Sequence, residues 1–543
     1  MKKNLKENKK IFNVIPSLLI LVMLSMTIGY GALQQTLFVQ GNAAISTPEY
    51  KIIIKSIEVK ANTDGAYQNA TPTFENTEGA VYSALPNTSS SITYNVEIKN
   101  IGLTSGVLDY IFVSQDNANM KYKIGGINTG DVIEAGKTVV ATITIEYWDN
   151  VTDASSSTVS TLFNFEFLKY EGNYSNDCTL AWDGSSSSEP IIRNVYGTDY
   201  YQINNANELS WFANTVNSGN NTINAILTND ICLNSKAFTT IGTTSYNGVF
   251  DGQNRTIKDY NYTRDIEIND TSEYSVGMFS NNSGTIKNTN FSGTITDNNV
   301  VYTASMGSAD GISITGTSHI GGIVVNNSGK IQNVSFSGSV NVTATSKVNC
   351  TFRQAHVINY IGGIAANNSG VITGSYNKAT FTLKGLTERV TCNIYTRSTD
   401  IYSGGIAGNN TGYISDTYNT ANMSIEGTHE KIGARYTYEG IVGGIAALNT
   451  NKIENGYNSG ALTQSLPSDN YGESQTGIIG KNTGTIANMF YQEGTVTNAV
   501  GTSATAADMK DPNLDVEAFL GNYFRTDTTN INGYYPVLKW QTK

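Results

Sequence analysis

Histidine, cysteine, proline and charge are all scarce in this chain of 543 residues. The three histidines, His319, His356 and His429, leave little material for imidazole catalysis or a metal site, and none is expected. His429-Glu430 begins an HExxH, but Gly433 stands where the second histidine belongs, which removes the zinc reading. The four cysteines, Cys178, Cys232, Cys350 and Cys392, are too few for a disulfide scaffold and lack CxxC spacing. Only 15% of residues are charged, against ~25% in an average globular protein. The net charge of −11 removes the basic footprint that nucleic-acid binding needs. Neither a GGxGxD calcium repeat nor a phosphate-binding loop occurs, so no cofactor is expected.

What the chain does have is 52 glycines and 32 tyrosines, with asparagine, threonine and serine throughout, against 8 prolines. That mixture describes strands and polar turns better than disorder. The length prior is two to four domains.

Residues 2–10 carry five lysines and one glutamate, and an apolar stretch runs from Ile11 to Ile28. Its uninterrupted part, Leu18 to Ile28, has the length of a signal-peptide core. A span over residues 11–32 also suffices for an uncleaved membrane anchor. Cleavage after Ala32 puts the large Tyr30 at −3, whereas the small Gly41-Asn42-Ala43 lies far downstream, so both outcomes stay open. Residues 1–45 are thus a signal peptide or anchor, and the rest is expected outside the membrane.

Residues 46–170 read as short alternating runs, among them Lys51 to Val59, Ser91 to Ile98, Val139 to Tyr147 and Thr161 to Phe167. Period-two alternation with one polar face is what an antiparallel sheet over a single core requires. About seven such strands predict an Ig-like β-sandwich. Residues 171–195, with Trp182-Asp-Gly-Ser-Ser-Ser-Ser-Glu-Pro190, have linker composition.

Internal repetition follows. Six copies align on Gly277, Gly322, Gly363, Gly405, Gly444 and Gly477. Five residues on, all six have asparagine (Asn282, Asn327, Asn368, Asn410, Asn449, Asn482), and nine on, all six have isoleucine (Ile286, Ile331, Ile372, Ile414, Ile453, Ile486). Seven on stand Gly284, Gly329, Gly370, Gly412 and Gly484, with Asn451 as the exception, a substitution that predicts a left-handed turn there. One strand–turn–strand unit cannot bury its apolar face alone, so copies must stack in parallel ~4.8 Å apart, isoleucines forming the core and asparagines a ladder. The expected fold is all-β, a sandwich followed by a β-solenoid.

The stretches Gly321-Gly-Ile-Val-Val-Asn-Asn-Ser-Gly329, Gly362-Gly-Ile-Ala-Ala-Asn-Asn-Ser-Gly370 and Gly404-Gly-Ile-Ala-Gly-Asn-Asn-Thr-Gly412 resemble the GLUG motif of bacterial surface proteins. Tyr201-Gln-Ile203, a helical-spaced Leu209, Phe212, Ala213 and Val216, and Asn532 to Trp540 resemble that family's flanks. The resemblance covers roughly residues 196–543 and implies a right-handed parallel β-helix on an extracellular, often adhesive protein, with no agreed catalytic residues. It divides the chain into first coils and a cap with a short helix (196–276), GLUG repeats (277–500) and a C-terminal capping segment (501–543). The long stretches Val340 to Tyr360 and Thr380 to Ser403 depart from compact repeats and form either extra strands or projecting hairpins.

Three constellations carry chemistry. Cys350 and Cys392 each precede their repeat glycine by 13 residues, which makes them either a disulfide across adjacent coils or two buried thiols. Tyr376, Tyr418, Tyr457 and Phe490 fall four residues after the repeat isoleucine, and Phe291 and Phe336 five after; they are either stacked core and surface rings or a sugar-binding platform. Asp400 and Glu439, each five residues before a repeat glycine, are candidates for an acid/base pair in polysaccharide cleavage, or else solvated strand residues. The sum is an exported, non-catalytic adhesin or surface-binding protein whose partner is a surface glycan or an extracellular matrix or host protein. The rivals are a β-helical polysaccharide-degrading enzyme and a purely structural stalk.

Overall fold

The computed structural model describes residues 49–541 apart from 118, 149–150, 152–156, 171–181, 196, 269, 304–312, 350–353, 391–395, 430–435, 468–473 and 497–499. The leader expected at 1–45 and the proposed Cys350–Cys392 bond lie outside the described residues.

Strand Ser91–Asn100 alternates strictly, and its inward Ile92, Tyr94, Val96 and Ile98 are fully buried. It lies between Ile52–Thr63 and Thr138–Tyr147 in an antiparallel four-stranded sheet that Met120–Gly125 completes. A second antiparallel sheet of five strands has Ser157–Lys169 at its centre, between Glu78–Leu85 and Gly106–Gln115. Val81, Leu108, Phe163 and Phe165 from this sheet share one core with Ile54, Ile57, Ile143 and Ile145 of the first.

Part of the expected linker is folded. Trp182 is buried with its ring centroid 5.5 Å from that of Phe238, and its indole N–H donates to the Ser186 carbonyl at 3.0 Å. Ile191–Val195 pairs antiparallel with Thr198–Ile203. The serine-rich composition hid a tryptophan that belongs to the larger core. The predicted helix forms as α1, Ala206–Asn217, with Asn205 as N-cap and Leu209, Phe212, Ala213 and Val216 buried. Cys232, for which the sequence offered no partner, is disulfide-bonded.

From there on, copies pair in parallel and in register. Ile286, Ile331, Ile372, Ile414, Ile453 and Ile486 are successive cross-strand partners, and the first five are completely buried. Each copy contributes strands to two facing sheets, one of seventeen strands and one of ten. In the second copy these are Ser313–Gly321, Val324–Asn327 and Lys330–Asn349. The long inter-repeat stretches extend both sheets: Lys330–Asn349 pairs with Thr380–Val390, and Gln354–Gly362 with Thr396–Gly404. Val340, Val342 and Ala344 on one side and Ala355 and Val357 on the other are buried in the core between the sheets. The inserts are therefore extra strands.

The turn seven residues after the repeat glycine is not left-handed. Positive φ falls instead eleven residues on, at Asn288, Asn333, Gly374, Asp416, Asn455 and Asn488. Glycine is needed at the earlier place because the coils touch: a Cβ on Gly329 or Gly370 would lie 2.2 or 2.1 Å from the carbonyl oxygen of the corresponding glycine one coil back. Asn451, the exception, turns its amide outward to the Thr411 carbonyl at 3.0 Å.

Residues 501–541 do more than close an end. Thr502–Ala504 pairs with the last repeat strand, Thr485–Gln492, and the chain then packs Leu520, Phe524 and Leu538 over Tyr418 and Tyr457 on the flank. The sandwich also lies along the coils. Arg255, almost fully buried, donates to the Asp109 carbonyl at 2.8 Å and carboxylate at 3.1 Å, and the Gln253 amide exchanges two 2.8 Å bonds with the Ile111 backbone. Trp148 packs on Val371 and Tyr413 three and four coils further on.

Candidate functional site

Asp400 and Glu439 sit directly opposite each other on adjacent parallel strands, Thr396–Gly404 and Tyr436–Asn449. Neighbouring strands in a sheet are ~4.8 Å apart, so the two carboxylates are brought together as their equal spacing from the repeat glycine requires. Basic groups come with them. His356 Nε2 is 2.6 Å from Asp400 Oδ2, and Ser398 donates to Asp400 Oδ1 at 3.0 Å. Tyr402 donates to Glu439 Oε2 at 2.9 Å, and Lys481 to Oε1 at 3.4 Å. Each of the four carboxylate oxygens thus has a polar partner. Burial, with the Asp400 charge second, pushes the Tyr402 phenol well up and keeps it a donor. The two carboxylates form one polar network with His356, Ser398, Tyr402 and Lys481.

Beside it runs a column of rings. His319, Tyr360 and Tyr402 stack with centroids 5.4 and 5.2 Å apart and planes inclined by 7° and 16°. Burial lowers the His319 pKa against the opposing pull of Glu273. Tyr376, Tyr418 and Tyr457 stack likewise at 4.8 and 4.9 Å, under the C-terminal segment. Rings piled along the coil axis cover one another's faces, so Tyr360 and Tyr418 present none to a sugar. Phe291 and Phe336, one position later in their copies, point to the opposite face and lie in the core.

The repeat asparagines form an unbroken ladder. Asn282, Asn327, Asn368, Asn410 and Asn449 each donate to the next copy's Oδ1 at 2.7–2.8 Å, ending on Asn482. Gly322, Gly363 and Gly405, at the start of each copy, lie where a Cβ would meet the next coil's glycine carbonyl at 2.1–2.2 Å. These positions hold the scaffold together.

A second ladder, one residue earlier, faces solvent and was not anticipated. Asn326 donates to Asn281 at 3.0 Å, and Asn367 to Asn326 at 2.9 Å and to His319 Nδ1 at 2.8 Å. Asn409 continues the row. The signal for it was the doubling of asparagine at 281–282, 326–327, 367–368 and 409–410. With the hydroxyls of Ser283, Ser328, Ser369 and Thr411 it lines a groove of about 390 Å³ running along the coils. Among the described residues no group of histidine, cysteine and acidic side chains could hold a metal ion.

No protein-family model matches the chain, and no curated protein matches it. Among solved structures, the catalytic domain of a GH87 alpha-1,3-glucanase in complex with tetrasaccharides is similar over 86% of this chain and 97% of that one, at 10% identity and a TM-score of 0.14. A likeness that slight carries no argument about fold or activity.

Proposed function

We propose that the chain is an exported surface protein of the GLUG kind, with an Ig-like sandwich lying beside a right-handed β-helix, and that it binds an extracellular ligand without transforming it. The observation that carries this reading is the open polar groove over four coils, whose outer asparagines keep hydrogen-bonding capacity for a ligand. The basic, apolar leader at residues 2–28 and the disulfide at Cys232 support export to an oxidising compartment. The ligand is a surface glycan or a matrix or host protein. The test is a glycan and matrix-protein array run beside a reducing-sugar release assay on the unmutated protein. Binding without release supports the reading. Release that Asp400→Ala abolishes makes the chain a polysaccharide-degrading enzyme, and silence in both assays leaves a structural stalk.

A further inference from the structure

We propose that the groove between the outer asparagine ladder and the serine–threonine row binds a neutral polysaccharide strand laid along the coil axis, about one sugar ring to each coil. This rests on the binding function proposed above and names its ligand class.

Beyond Thr244 and Ser245, each of four coils contributes an asparagine and, two residues on, a serine or threonine, as Asn326 and Ser328 do; the lining contains no charged side chain. An anionic chain placed there would lose water and gain no cation. The repeat of ~4.8 Å per coil is close to the length of a pyranose ring. A peptide advances ~3.3 Å per residue, so its groups drift out of step with the ladder.

The hydrogen-bond inventory points to hydroxyls. A carboxamide has two N–H donors and an oxygen with two lone pairs. Asn326 spends one N–H on Asn281, and its oxygen accepts one bond from Asn367, which leaves a donor and a lone pair for a ligand. The Asn367 oxygen and the whole Asn409 amide have no partner among the described residues. The row hydroxyls spend their protons on the scaffold: Ser328 on the Asn282 carbonyl, Ser369 on Asn327 and Thr411 on Asn368, at 3.2–3.3 Å. They remain acceptors. Sugar hydroxyls, which both donate and accept, match that mixture. Recognition here is by hydrogen bonds, and each bond adds little alone. Affinity must therefore accumulate with ligand length.

In the fifth copy Leu448 stands opposite Asn409 in the same register, so leucine is already tolerated at this place in the ladder. Binding of neutral gluco-, xylo- and manno-oligosaccharides of two to six rings to the purified full chain is measured by calorimetry. The affinity is expected to rise about tenfold from two rings to four and to level off beyond, where the amides give way to Leu448. Asn326→Leu with Asn409→Leu, and separately the exposed Ser369→Arg, should each lower it about tenfold with unchanged melting temperature. Undiminished binding in both variants, no dependence on length, a preference for tri-galacturonate, or no binding to any neutral chain overturns the groove assignment. Only the last of these, joined by silence on the wider array, overturns the binding function as well.

Discussion

The positions seven and eleven residues after the repeat glycine do different work. Gly370 lies where the backbone of the coil before leaves no room for a methyl group, whereas Asn333 sits at φ 54° and donates to Asn288 at 3.1 Å. Gly370→Ala is expected to destabilise by about 1–3 kcal/mol, the range for overpacking. Asn333→Gly should stay within about 1 kcal/mol, since glycine adopts that φ freely. Chemical denaturation of the two variants separates close approach from backbone handedness, and equal losses would contradict the assignment. At Asp400 the expectation concerns stability. Asp400→Ala leaves His356 and Ser398 without their carboxylate partner, which costs about 1–3 kcal/mol, and it removes no side chain that lines the groove. A variant of wild-type stability would mean that the network contributes nothing.

At the scale of elements, alternation was legible wherever a strand has one wet face. Ser91–Asn100 and the isoleucine column follow directly from period two and from the repeat. What the sequence concealed depends on neighbours distant in the chain. Trp182 sits in a serine-rich run, and nothing local shows that its ring meets Phe238. The tyrosines at 376, 418 and 457 were legible as a stack, yet not that Phe524 and Leu538 cover them. The turn at Gly329 was misread because glycine has two uses, positive φ and tight contact, and only the stacked coil distinguishes them. The outer ladder was missed because one asparagine of each pair explained the pattern by itself. Removing residues 501–543 is expected to leave the coils folded while baring the tyrosine column. The measurement is dye binding to exposed apolar surface at unchanged far-ultraviolet dichroism, and a truncated chain that binds no more dye than the intact one would refute the covering role.

At the scale of the molecule, buried polar contacts join the sandwich to the coils, and one amine beside them titrates. Lys330 has its ammonium 4.2 Å from the centroid of the Trp148 ring, and burial, with Lys121 nearby, brings its pKa down to about 8. An unfolded lysine holds its proton to about 10.4, so the unfolded chain binds more protons between those values and stability rises with pH across that window. Below about pH 8 the full cost of the charged, buried amine is present. Lys330→Met removes this term. The variant's advantage in melting temperature should be greatest at pH 7 and shrink towards pH 10, and a difference independent of pH would remove the lysine from the interface energetics.

Corresponding residues of successive copies lie one coil apart on a common line. Spin labels at Ser283 paired in turn with Thr411, Thr450 and Thr483, all exposed turn positions of copies one, four, five and six, measure this directly by double electron–electron resonance. The predicted distances grow by ~4.8 Å with each added coil, from three coils to five. Distances that fail to increase with copy number would show that the repeats do not stack.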